Sequence, residues 1–430
     1  MIVINRWIYR LLVRLYFCLA GFYALFDQKA KKFVDGRRKF FSKTKVEFDK
    51  NDIVVWFHAA SLGEFEQGRP LIEKIKKEQP QIKIVLSFFS PSGYEQRKEY
   101  PSADLVCYLP MDHPVHAEKF IELIRPAFAV FIKYEFWYFY FKHLKDKNIP
   151  LFMLSSVFRE NQLFFKSFAP LFREMLGCVT HFFVQDKESA DILKTASFHN
   201  VTIAPDSRID RVFDIRKEAD AFHSDVIEEF LDKSFCLILG SSYKMEEEFA
   251  STFIKKTNYE GKLIIAPHQP TPKRIGEIES TYPYQCVRYS DTHDKKSLKD
   301  AKVMIIDSIG LLNRLYKYAD IAFIGGGFNK GVHNTLEAAV FGVPVIFGPK
   351  NHKKFPETLG LISSGGGFLI KNNNDCLRQI DFLLHNENRK KAGENAFSFI
   401  QNNRGGTEKV YSFLSNYYKP IDDMKDIKDF

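Results

Sequence analysis

The sequence predicts an α/β protein built from two Rossmann-like, doubly wound domains. Its 430 residues are too many for one ordinary core and suit two domains of about 150 to 200 residues each. Short apolar, β-rich runs alternate with helical stretches from residue 52 onward, and the alternation restarts after a charged helical stretch at 216–233. Runs that are apolar on both faces indicate parallel strands with helices on both sides of each sheet.

The predicted elements follow in order along the chain. The first set of strands covers 53–57, 83–88, 128–132, 150–155, 180–184 and 201–204. Stretches such as 69–78 and 116–124 are long enough to be crossover helices. The second set of strands covers 235–239, 262–266, 303–306, 321–325 and 343–347.

These elements define the predicted domain boundaries. We assign residues 41–215 to the first domain, 216–410 to the second, and 411–430 to a C-terminal helix and polar tail. Ligands of doubly wound sheets bind at the carboxyl ends of the strands. We therefore expect the motifs at the strand ends to meet in a cleft between two facing domains.

Residues 1–40 are predicted to form a membrane-associated segment. An unbroken apolar run at 15–26 follows Arg6, Arg10 and Arg14, and further cations follow it at 29–39. The run is shorter than the roughly 20 residues of a spanning helix, and no small-residue cleavage site follows it. This pattern favours a helix at the headgroups of an anionic leaflet, or a short anchor with a cytoplasmic body. The alternative is a first helix packed on its own domain, with solvated cations.

Composition limits the partners and the cellular environment. The net charge is +9, from 62 basic and 53 acidic residues, so we expect an anionic partner. Nucleic acid is disfavoured because neither zinc-finger spacing nor an RNP-type aromatic motif accompanies the charge. The cysteines lie far apart without a CxxC pair, which predicts reduced core thiols in a cytosolic environment rather than a zinc site or disulfides. They are Cys18, Cys107, Cys178, Cys236, Cys286 and Cys376.

The first candidate site is the segment FHAASLGEF at 57–65, directly after a predicted strand. Ser61 and Gly63 suit a helix entrance with free N–H groups, and Glu64 stands where a carboxylate could face an incoming hydroxyl. Alternatively, Glu64 is only a favourable anion in a first helical turn, worth about 0.3 to 1 kcal/mol. Spacing alone leaves both interpretations open.

The second candidate site is the segment KYEFWYFYF at 133–141, again directly after a predicted strand. Glu135 is a carboxylate at the strand end, and the alternative is that it merely pairs with a neighbouring base. The aromatic run is too long to lie wholly inside one helix. We therefore expect some of its rings to contact lipid or substrate acyl chains.

The third candidate site is the segment IGGGFNKGVHNTLE at 324–337, which predicts a strand, a glycine loop and a helix. Gly326 and Gly327 would permit close backbone approach to a ligand, and a helix start attracts phosphate. His333 and Glu337, four residues apart, would share one helical face. The pattern fits neither GxGxxG nor a P-loop. A nucleotide mono- or diphosphate is the predicted ligand, and a purely structural glycine turn is the alternative.

Three shorter strand ends carry further candidates for phosphate or carboxylate contact. Ser241 and Ser242 end one predicted strand, His268 ends another, and Arg208 follows a third. Each signal is weak alone, because an isolated His or Arg is more often a surface or capping residue.

The ordered set of motifs resembles the bacterial transferases of 3-deoxy-D-manno-octulosonic acid (Kdo). The motifs are HAASLGE, FSPSGYE, YLPMDHP, YEFW and GGGFNKGVHNTLEAAVFGVPVIFGP, and the resemblance extends from about residue 50 to 410. It implies the GT-B fold, with the acceptor on the amino-terminal domain and the donor CMP-Kdo on the carboxy-terminal one. It also implies inverting transfer to a lipid A precursor at the cytoplasmic face of the inner membrane, with neither a metal ion nor another cofactor.

The resemblance also assigns roles to residues. It makes Glu64 the catalytic base and places Glu135 in the acceptor or transition-state site, to which the local pattern also assigns Ser61 and Gly63. The donor-binding residues it implies are Ser241, Ser242, His333, Asn334 and Glu337, with Glu337 a ribose partner, and the glycine loop adds Gly326 and Gly327.

Two departures from the family pattern affect the donor side. Many members have Pro-Arg-His where this chain has Pro267-His268-Gln269, and a glycine where it has Val332. We expect Arg208 or Lys350 to replace the missing arginine. A GT-B transferase or epimerase that uses a UDP-sugar, and a non-catalytic sugar-binding module at the membrane, are the competing interpretations.

Overall fold

The chain folds into two compact units. The computed structural model describes residues 5–38, 40–44, 46, 48–257, 259–282, 284–291 and 295–418. The first unit contains the described residues up to Asp210 together with those from Gly405 onward, and the second unit runs from Arg211 to Arg404. The change of unit thus falls five residues before the predicted boundary at 216, and the C-terminal helix returns to the first unit. Of the predicted tail, 419–430 lies outside the described residues.

The first unit is built on a seven-stranded sheet whose paired strands all run parallel. Its strands are β1 (Val54–Ala59), β2 (Lys83–Phe88), β3 (Leu105–Tyr108), β4 (Phe128–Ile132), β5 (Leu151–Ser156), β6 (His181–Val184) and β7 (Val201–Ile203). The spatial order is β3-β2-β1-β4-β5-β6-β7. The order reverses between β1 and β4, so the topological switch point lies at their carboxyl ends.

Helices cover both faces of this sheet. They are α1 (Arg6–Tyr23), α2 (Gln28–Arg38), α3 (Phe40–Lys43), α4 (Leu62–Glu78), α5 (Pro91–Arg97), α6 (Pro114–Ile124), α7 (Tyr138–Asp146), α8 (Pro170–Leu176), α9 (Lys187–Thr195) and α10 (Ser207–Asp220), inside which the second unit begins. The two faces hold separate hydrophobic clusters, one around Trp56 and Phe131 and the other around Phe57 and Val130. Successive side chains of β1 and β4 therefore point to opposite cores.

The second unit repeats this plan with another seven-stranded parallel sheet. Its strands are β8 (Cys236–Ser242), β9 (Lys262–Pro267), β10 (Cys286–Arg288), β11 (Val303–Ile305), β12 (Ile321–Ile324), β13 (Val345–Phe347) and β14 (Gly367–Leu369). The order is β10-β11-β9-β8-β12-β13-β14, which puts its switch point between β8 and β12.

The helices of the second unit complete the two covering layers. They are α11 (Asp225–Leu231), α12 (Lys244–Thr257), α13 (Pro272–Thr281), α14 (Lys295–Asp300), α15 (Leu312–Leu315), α16 (Leu336–Ala339), α17 (Pro356–Ser364), α18 (Asn373–Leu384) and α19 (Asn386–Asn402). The chain then returns to the first unit with α20 (Gly406–Leu414), which packs on α4.

The predicted architecture of two parallel-sheet, Rossmann-like domains is confirmed, and every predicted strand overlaps an observed one. Three observed strands were not predicted: β3, β10 and β14. All three lie at an edge of their sheet. An edge strand has one neighbour and is only partly covered, so it needs no continuous apolar run to mark it in the sequence.

The amino-terminal helices pack on the first unit and still expose an apolar surface. Tyr9 is buried on the inner side of α1, where its hydroxyl donates to Asp112 at 2.5 Å. The outer side chains are between 51% and 77% exposed, and they are Trp7, Leu11, Leu12, Leu15, Leu19, Phe22, Tyr23, Leu25 and Phe26. We call these nine residues the outer apolar face. Within the described residues, none of the helices combines the length and the hydropathy needed to cross a bilayer.

Two side-chain expectations need correction. The cysteines are all free thiols, but Cys18 is exposed on α1 and Cys286 is half-buried, so only four of the six are core residues. The aromatic run after β4 is mostly internal, since the rings from Tyr138 to Phe141 are at most 8% exposed. Tyr9 of α1 and the helices α6 and α8 cover α7, which leaves Tyr134 as the one run residue with an exposed ring.

Candidate active site

Two carboxylates meet at the switch point of the first sheet. Glu64 lies in the first turn of α4, two residues after Leu62 begins the helix that follows β1. Glu135 lies in the turn that follows the neighbouring strand β4. The topology thus brings together two acids that are 71 positions apart in the sequence.

Glu64 is held by the start of its own helix. The backbone N–H of Ser61 donates to Glu64 Oε2 at 3.0 Å, and the Ser61 hydroxyl lies 3.5 Å from the same oxygen. Burial raises the pKa of Glu64 to about 7, and the negative charge of Glu135 acts in the same direction. Lys133 and the N–H groups of Ala60 and Ser61 oppose this increase without cancelling it. The contact with Ser61 agrees with the interpretation of Glu64 as a helix-terminus group, and its role as a base stays a prediction.

Glu135 is held by two ring nitrogens. Trp137 Nε1 donates to Glu135 Oε2 at 2.9 Å, and His58 Nε2 lies 3.1 Å from the same oxygen. Glu135 thus pairs with a neighbouring base, as the alternative interpretation proposed, but that base is a wholly buried histidine beneath the candidate site. Both contacts are made by Oε2 of Glu135.

A buried polar chain below the two acids sets the orientation of His58. Trp56 Nε1 donates to Ser87 Oγ at 2.8 Å, and Ser87 Oγ lies 2.8 Å from His58 Nδ1. His58 Nδ1 also lies 3.1 Å from the Ser87 carbonyl oxygen, so both Ser87 oxygens hold this side of the ring while Nε2 faces Glu135. Sequence reasoning missed this chain, although a histidine inside the otherwise apolar strand β1 is a signal that could have found it.

Other parts of the protein do not fill the space next to the Cα atom of Gly63. A Cβ built on Gly63 would meet no protein atom within 4 Å. Small residues at the helix entrance were predicted to let a ligand approach the backbone, and the local geometry is compatible with that. Gly63 and Ser61 therefore flank the candidate base without covering it.

The surroundings of Arg208 differ from those that its predicted contact with the donor requires. It lies in the first unit, where its guanidinium contacts Asp206, with Nη2 to Oδ2 at 2.6 Å and Nε to Oδ2 at 3.0 Å. Burial raises the pKa of Asp206, but the charge and hydrogen bonds of Arg208 outweigh burial and lower it overall. A donor contact by Arg208 stays a prediction, and it would have to compete with this ion pair.

The switch point of the second sheet is built mainly from closely packed backbone. A Cβ on Gly325 would lie 2.1 Å from the Ser241 carbonyl oxygen, and one on Gly327 would lie 2.4 Å from the Gly348 nitrogen. Gly326 has a φ of 85°, and its Cβ would lie 2.3 Å from the Gly331 carbonyl oxygen. The structure thus gives these glycines a packing role within the protein, and donor contacts by Gly326 and Gly327 stay a prediction.

The prediction of a helix at 333–337 is wrong. The helix α16 spans only Leu336–Ala339, and His333 lies before its start, so His333 and Glu337 do not share a helical face. Asn334 competes with helix formation, because its Oδ1 accepts the Leu336 N–H at 3.1 Å while its Nδ2 donates to Glu337 Oε1 at 2.9 Å.

Three rings stack where β8, β9 and β12 end. The centroids of His268 and His333 are 4.5 Å apart, and Tyr243 lies 5.2 Å from His268 and 5.7 Å from His333. Burial, with a smaller contribution from His268, lowers the pKa of His333 to about 4. Burial and Lys330 also lower the pKa of His268. The two imidazoles are therefore neutral near pH 7, and they offer hydrogen bonds and stacking to a ligand rather than positive charge.

A cavity of about 240 Å³ opens beside this ring stack. Its lining includes Ser242 and His268, which were predicted, and Lys273 and Arg274 at the start of α13, which were not. Ser242 Oγ donates to the buried Glu247 at 2.8 Å, and Arg274 forms an ion pair with the same carboxylate. The sequence could have suggested Lys273 and Arg274, because both are cations that follow soon after the end of β9.

Comparison with known proteins identifies relatives of the chain. The sequence profile of the 3-deoxy-D-manno-octulosonic-acid transferase (kdotransferase) family matches residues 32–211. The 3-deoxy-D-manno-octulosonic acid transferase of Rickettsia felis is 25% identical over 87% of this chain and 82% of its own length. The transferase of the same name from Aquifex aeolicus is 26% identical over 81% of this chain and 90% of its own length.

Solved structures support the fold. UDP-GlcNAc 2-epimerase from Neisseria meningitidis, bound to UDP-GlcNAc, matches with a TM-score of 0.56 at 13% identity over 85% of this chain and 100% of that chain. At this identity the match shows the fold alone, which is two Rossmann-like domains of the GT-B class. The sequence matches alone indicate the activity: the chain is a glycosyltransferase that is similar in sequence to the bacterial Kdo transferases.

Proposed function

We propose that this glycosyltransferase moves Kdo from CMP-Kdo to a lipid A precursor, a step of lipopolysaccharide biosynthesis. The names of its relatives supply the sugar, and the resemblance of its motifs supplies the donor and the acceptor. The observation that carries the proposal is Glu64, a carboxyl with a pKa near 7 beside a second carboxylate. An acid of this strength suits the transfer of a hydroxyl proton at neutral pH.

Glu64 acts in this proposal as the general base. Its carboxylate takes the proton from a glucosamine 6′-hydroxyl of the acceptor as that oxygen forms a bond to the anomeric carbon of Kdo. The bond from that carbon to the phosphate oxygen breaks, and its electron pair leaves with CMP, so the configuration inverts. The proximity of Glu135 favours the protonated product form of Glu64 and so increases its basicity.

Glu135 supports the base by staying fixed. Because His58 and Trp137 both hold the same oxygen of Glu135, the carboxylate cannot swing away from Glu64 without losing two hydrogen bonds. Each hydrogen bond to a charged group contributes about 1.5 to 3 kcal/mol. Glu135 is therefore proposed to act as a fixed charge at the acceptor site.

We place the donor nucleotide at the ring stack and cavity of the second unit. Tyr243, His268 and His333 offer flat faces and neutral imidazole nitrogens, and Lys273 supplies positive charge at the cavity rim. Charge that develops on the departing phosphate would be stabilised by such fixed donors and cations. The proposal includes no metal ion. Full turnover after EDTA treatment supports this part, and a loss that Mg²⁺ restores contradicts it.

We further propose that the protein works at the cytoplasmic face of the inner membrane, with α1 in the headgroup region. The outer apolar face supplies the area to bury, and Arg14, which is exposed on the same helix and also contacts His113 Nε2 at 3.2 Å, suits anionic headgroups. The paired change Leu11→Asp and Leu15→Asp should abolish flotation with vesicles that contain phosphatidylglycerol. Undiminished flotation of this variant would exclude α1 as the docking element.

One assay tests the reaction itself. The protein is incubated with CMP-Kdo and a tetraacylated lipid A precursor, and mass spectrometry weighs the product. A mass increase of one or more Kdo units supports the proposal and also counts the sugars transferred. If the donor is not consumed in the presence of the acceptor, the protein would be a sugar-binding module rather than a transferase.

A binding measurement separates the donor classes. The structural likeness to UDP-GlcNAc 2-epimerases makes a UDP-sugar the strongest competing donor. Isothermal calorimetry with CMP and with UDP compares the two nucleotides on the same preparation. Tight binding of CMP and weak binding of UDP is expected, and the reverse order would overturn the assignment.

A further inference from the structure

The amino-terminal helices make two contacts at the carboxyl end of the segment that carries Glu135. This segment, Tyr134–Trp137, joins β4 to α7 and is here called the acid turn. Its carboxyl end meets Tyr9 of α1, and its Trp137 ring meets an aromatic group beneath α2. None of these contacts involves the outer apolar face.

The first contact is a hydrogen-bonded hub at the start of α7. The Tyr9 hydroxyl donates to Asp112 Oδ2 at 2.5 Å and accepts the Tyr138 N–H at 3.3 Å. Asp112 Oδ1 accepts the N–H groups of Phe139 at 3.1 Å and Tyr140 at 3.2 Å. Tyr9 and Asp112 thus satisfy three successive N–H groups that a helix start leaves without partners. Asp112 is 2% exposed, so its oxygens rely on these protein donors rather than on bulk water.

The second contact runs through stacked rings to Glu135. Trp137, which donates to Glu135, packs on Phe89 with centroids 4.9 Å apart, and Phe89 packs on Phe33 of α2 at 5.2 Å. The buried guanidinium of Arg37 lies 3.9 Å from the Phe33 centroid and donates to the Phe89 carbonyl. The ring beneath Trp137 is therefore fixed by α2.

We propose that Tyr9 is a positioning residue for the transfer reaction, which through Asp112 and α7 keeps Glu135 in place beside Glu64. The helix α1 then has two roles: its outer side faces lipid, and its inner side completes the acceptor site. This inference rests on the proposed role of Glu64 as the base. It deepens that proposal, because it makes the amino-terminal helices part of the catalytic unit.

The expected signature is a change in the pH dependence of turnover. The charged and titratable groups that act on Glu64 are Glu135 and Lys133, and Tyr134 also lies within electrostatic reach of it. Because Glu135 raises the pKa of Glu64, a displaced Glu135 lets that pKa fall. The acid limb of the kcat profile should then move to lower pH, whereas a general loss of stability would leave the limb in place.

The experiment compares Tyr9→Phe with Tyr318→Phe in the same 430-residue chain. Both changes remove one hydroxyl that donates to a carboxylate, but Tyr318 lies in the second unit, where its hydroxyl donates to Glu228 Oε1 at 3.2 Å and has no part in the hub. Turnover is measured with a detergent-dispersed acceptor, so that docking to vesicles does not contribute. We expect kcat of Tyr9→Phe to fall roughly tenfold, as is typical of small displacements at an active site. Its acid limb should move to lower pH and its KM for CMP-Kdo should stay within twofold, while Tyr318→Phe should match the wild type.

A second variant covers the case in which Tyr9→Phe does not fold. Asp112→Asn keeps the shape of the hub but replaces one acceptor oxygen by a donor, and it should move the acid limb in the same direction. Wild-type kcat and pH profile in folded Tyr9→Phe overturn the inference, and so does a fall in kcat with an unmoved acid limb. Glu64→Gln is measured in parallel: if it keeps full turnover, the proposed function fails, and if it is inactive while Tyr9→Phe behaves as wild type, only the present inference fails.

Discussion

At the switch point of the first sheet, Ser61 at the start of α4 holds Glu64, while His58 on β1 and Trp137 in the acid turn hold Glu135. At the switch point of the second sheet, the same topological position is filled by glycine backbone packed on backbone, and side-chain chemistry begins only at the rim. The first arrangement changes the proton affinity of Glu64. The second brings the strand ends close together beside the neutral rings of Tyr243, His268 and His333. Equal topology therefore supports two different kinds of chemistry, one in each unit.

At the switch point of the first sheet, the largest expected effect is the loss of turnover in Glu64→Gln. A positioned base contributes about 10² to 10⁴ in rate, so turnover should fall by that factor while CMP binding is unchanged. Turnover and calorimetric CMP affinity are measured on the same preparation. Wild-type turnover in the variant would reduce Glu64 to a helix-terminus anion.

At the switch point of the second sheet, the largest expected effect is a loss of stability in Gly325→Ala. Gly325→Ala places a Cβ 2.1 Å from the Ser241 carbonyl oxygen, whereas the Cβ of Gly276→Ala in α13 would meet no protein atom within 4 Å. Overpacking costs about 1 to 3 kcal/mol, so Gly325→Ala should lower the free energy of unfolding in urea by that amount. Gly276→Ala should be neutral or slightly stabilising. Unchanged stability with lost CMP binding would show instead that the glycine is needed by the ligand.

A smaller effect isolates the interaction between the two acids. Glu135→Gln keeps acceptors for His58 and Trp137 but removes the negative charge that raises the pKa of Glu64, so this pKa should fall below about 7. The acid limb of the kcat profile should move to lower pH. The exposed Glu118→Gln on α6 is the matched control and should leave the profile unchanged. An unmoved limb in Glu135→Gln would mean that burial alone sets the pKa of Glu64.

The smallest effect concerns the ring stack. With its pKa lowered to about 4, His333 should stay neutral from pH 8 to 5.5, and its imidazole proton resonances should not move in that range. Because the unfolded state takes up the proton first, the contribution of His333 to stability is present above about pH 6.5 and is lost as the pH falls towards 4. Comparison of spectra with those of His333→Asn assigns the resonances. A midpoint near 6.5 would contradict the buried environment.

The sequence predicted these sites where a local pattern carried the information. An acid or a glycine directly after an apolar run marks a strand end, and this located Glu64, Glu135 and the glycine loop. The orientation of His58 could not be predicted, because it depends on Ser87 in another strand. Arg37 likewise belonged to a cation cluster that suggested solvation or headgroups, but it is buried, with the distant rings of Phe89 and Tyr108 close to its guanidinium. The helix at 333–337 failed because local side-chain bonds of Asn334 compete with helical backbone bonds.

The return of α20 to the first unit has a consequence for biosynthesis. Asp210 accepts the N–H groups of Gly405 at 2.6 Å and Thr407 at 2.7 Å, and Phe413 packs on Phe183 with centroids 5.3 Å apart. Unit one therefore lacks its last covering helix until all of unit two has left the ribosome. Since domains form as the chain emerges, its core must wait in an incomplete state. A fragment that ends at residue 210 should accordingly expose the α4 surface and aggregate, and co-expression of the missing helix in trans should rescue its solubility.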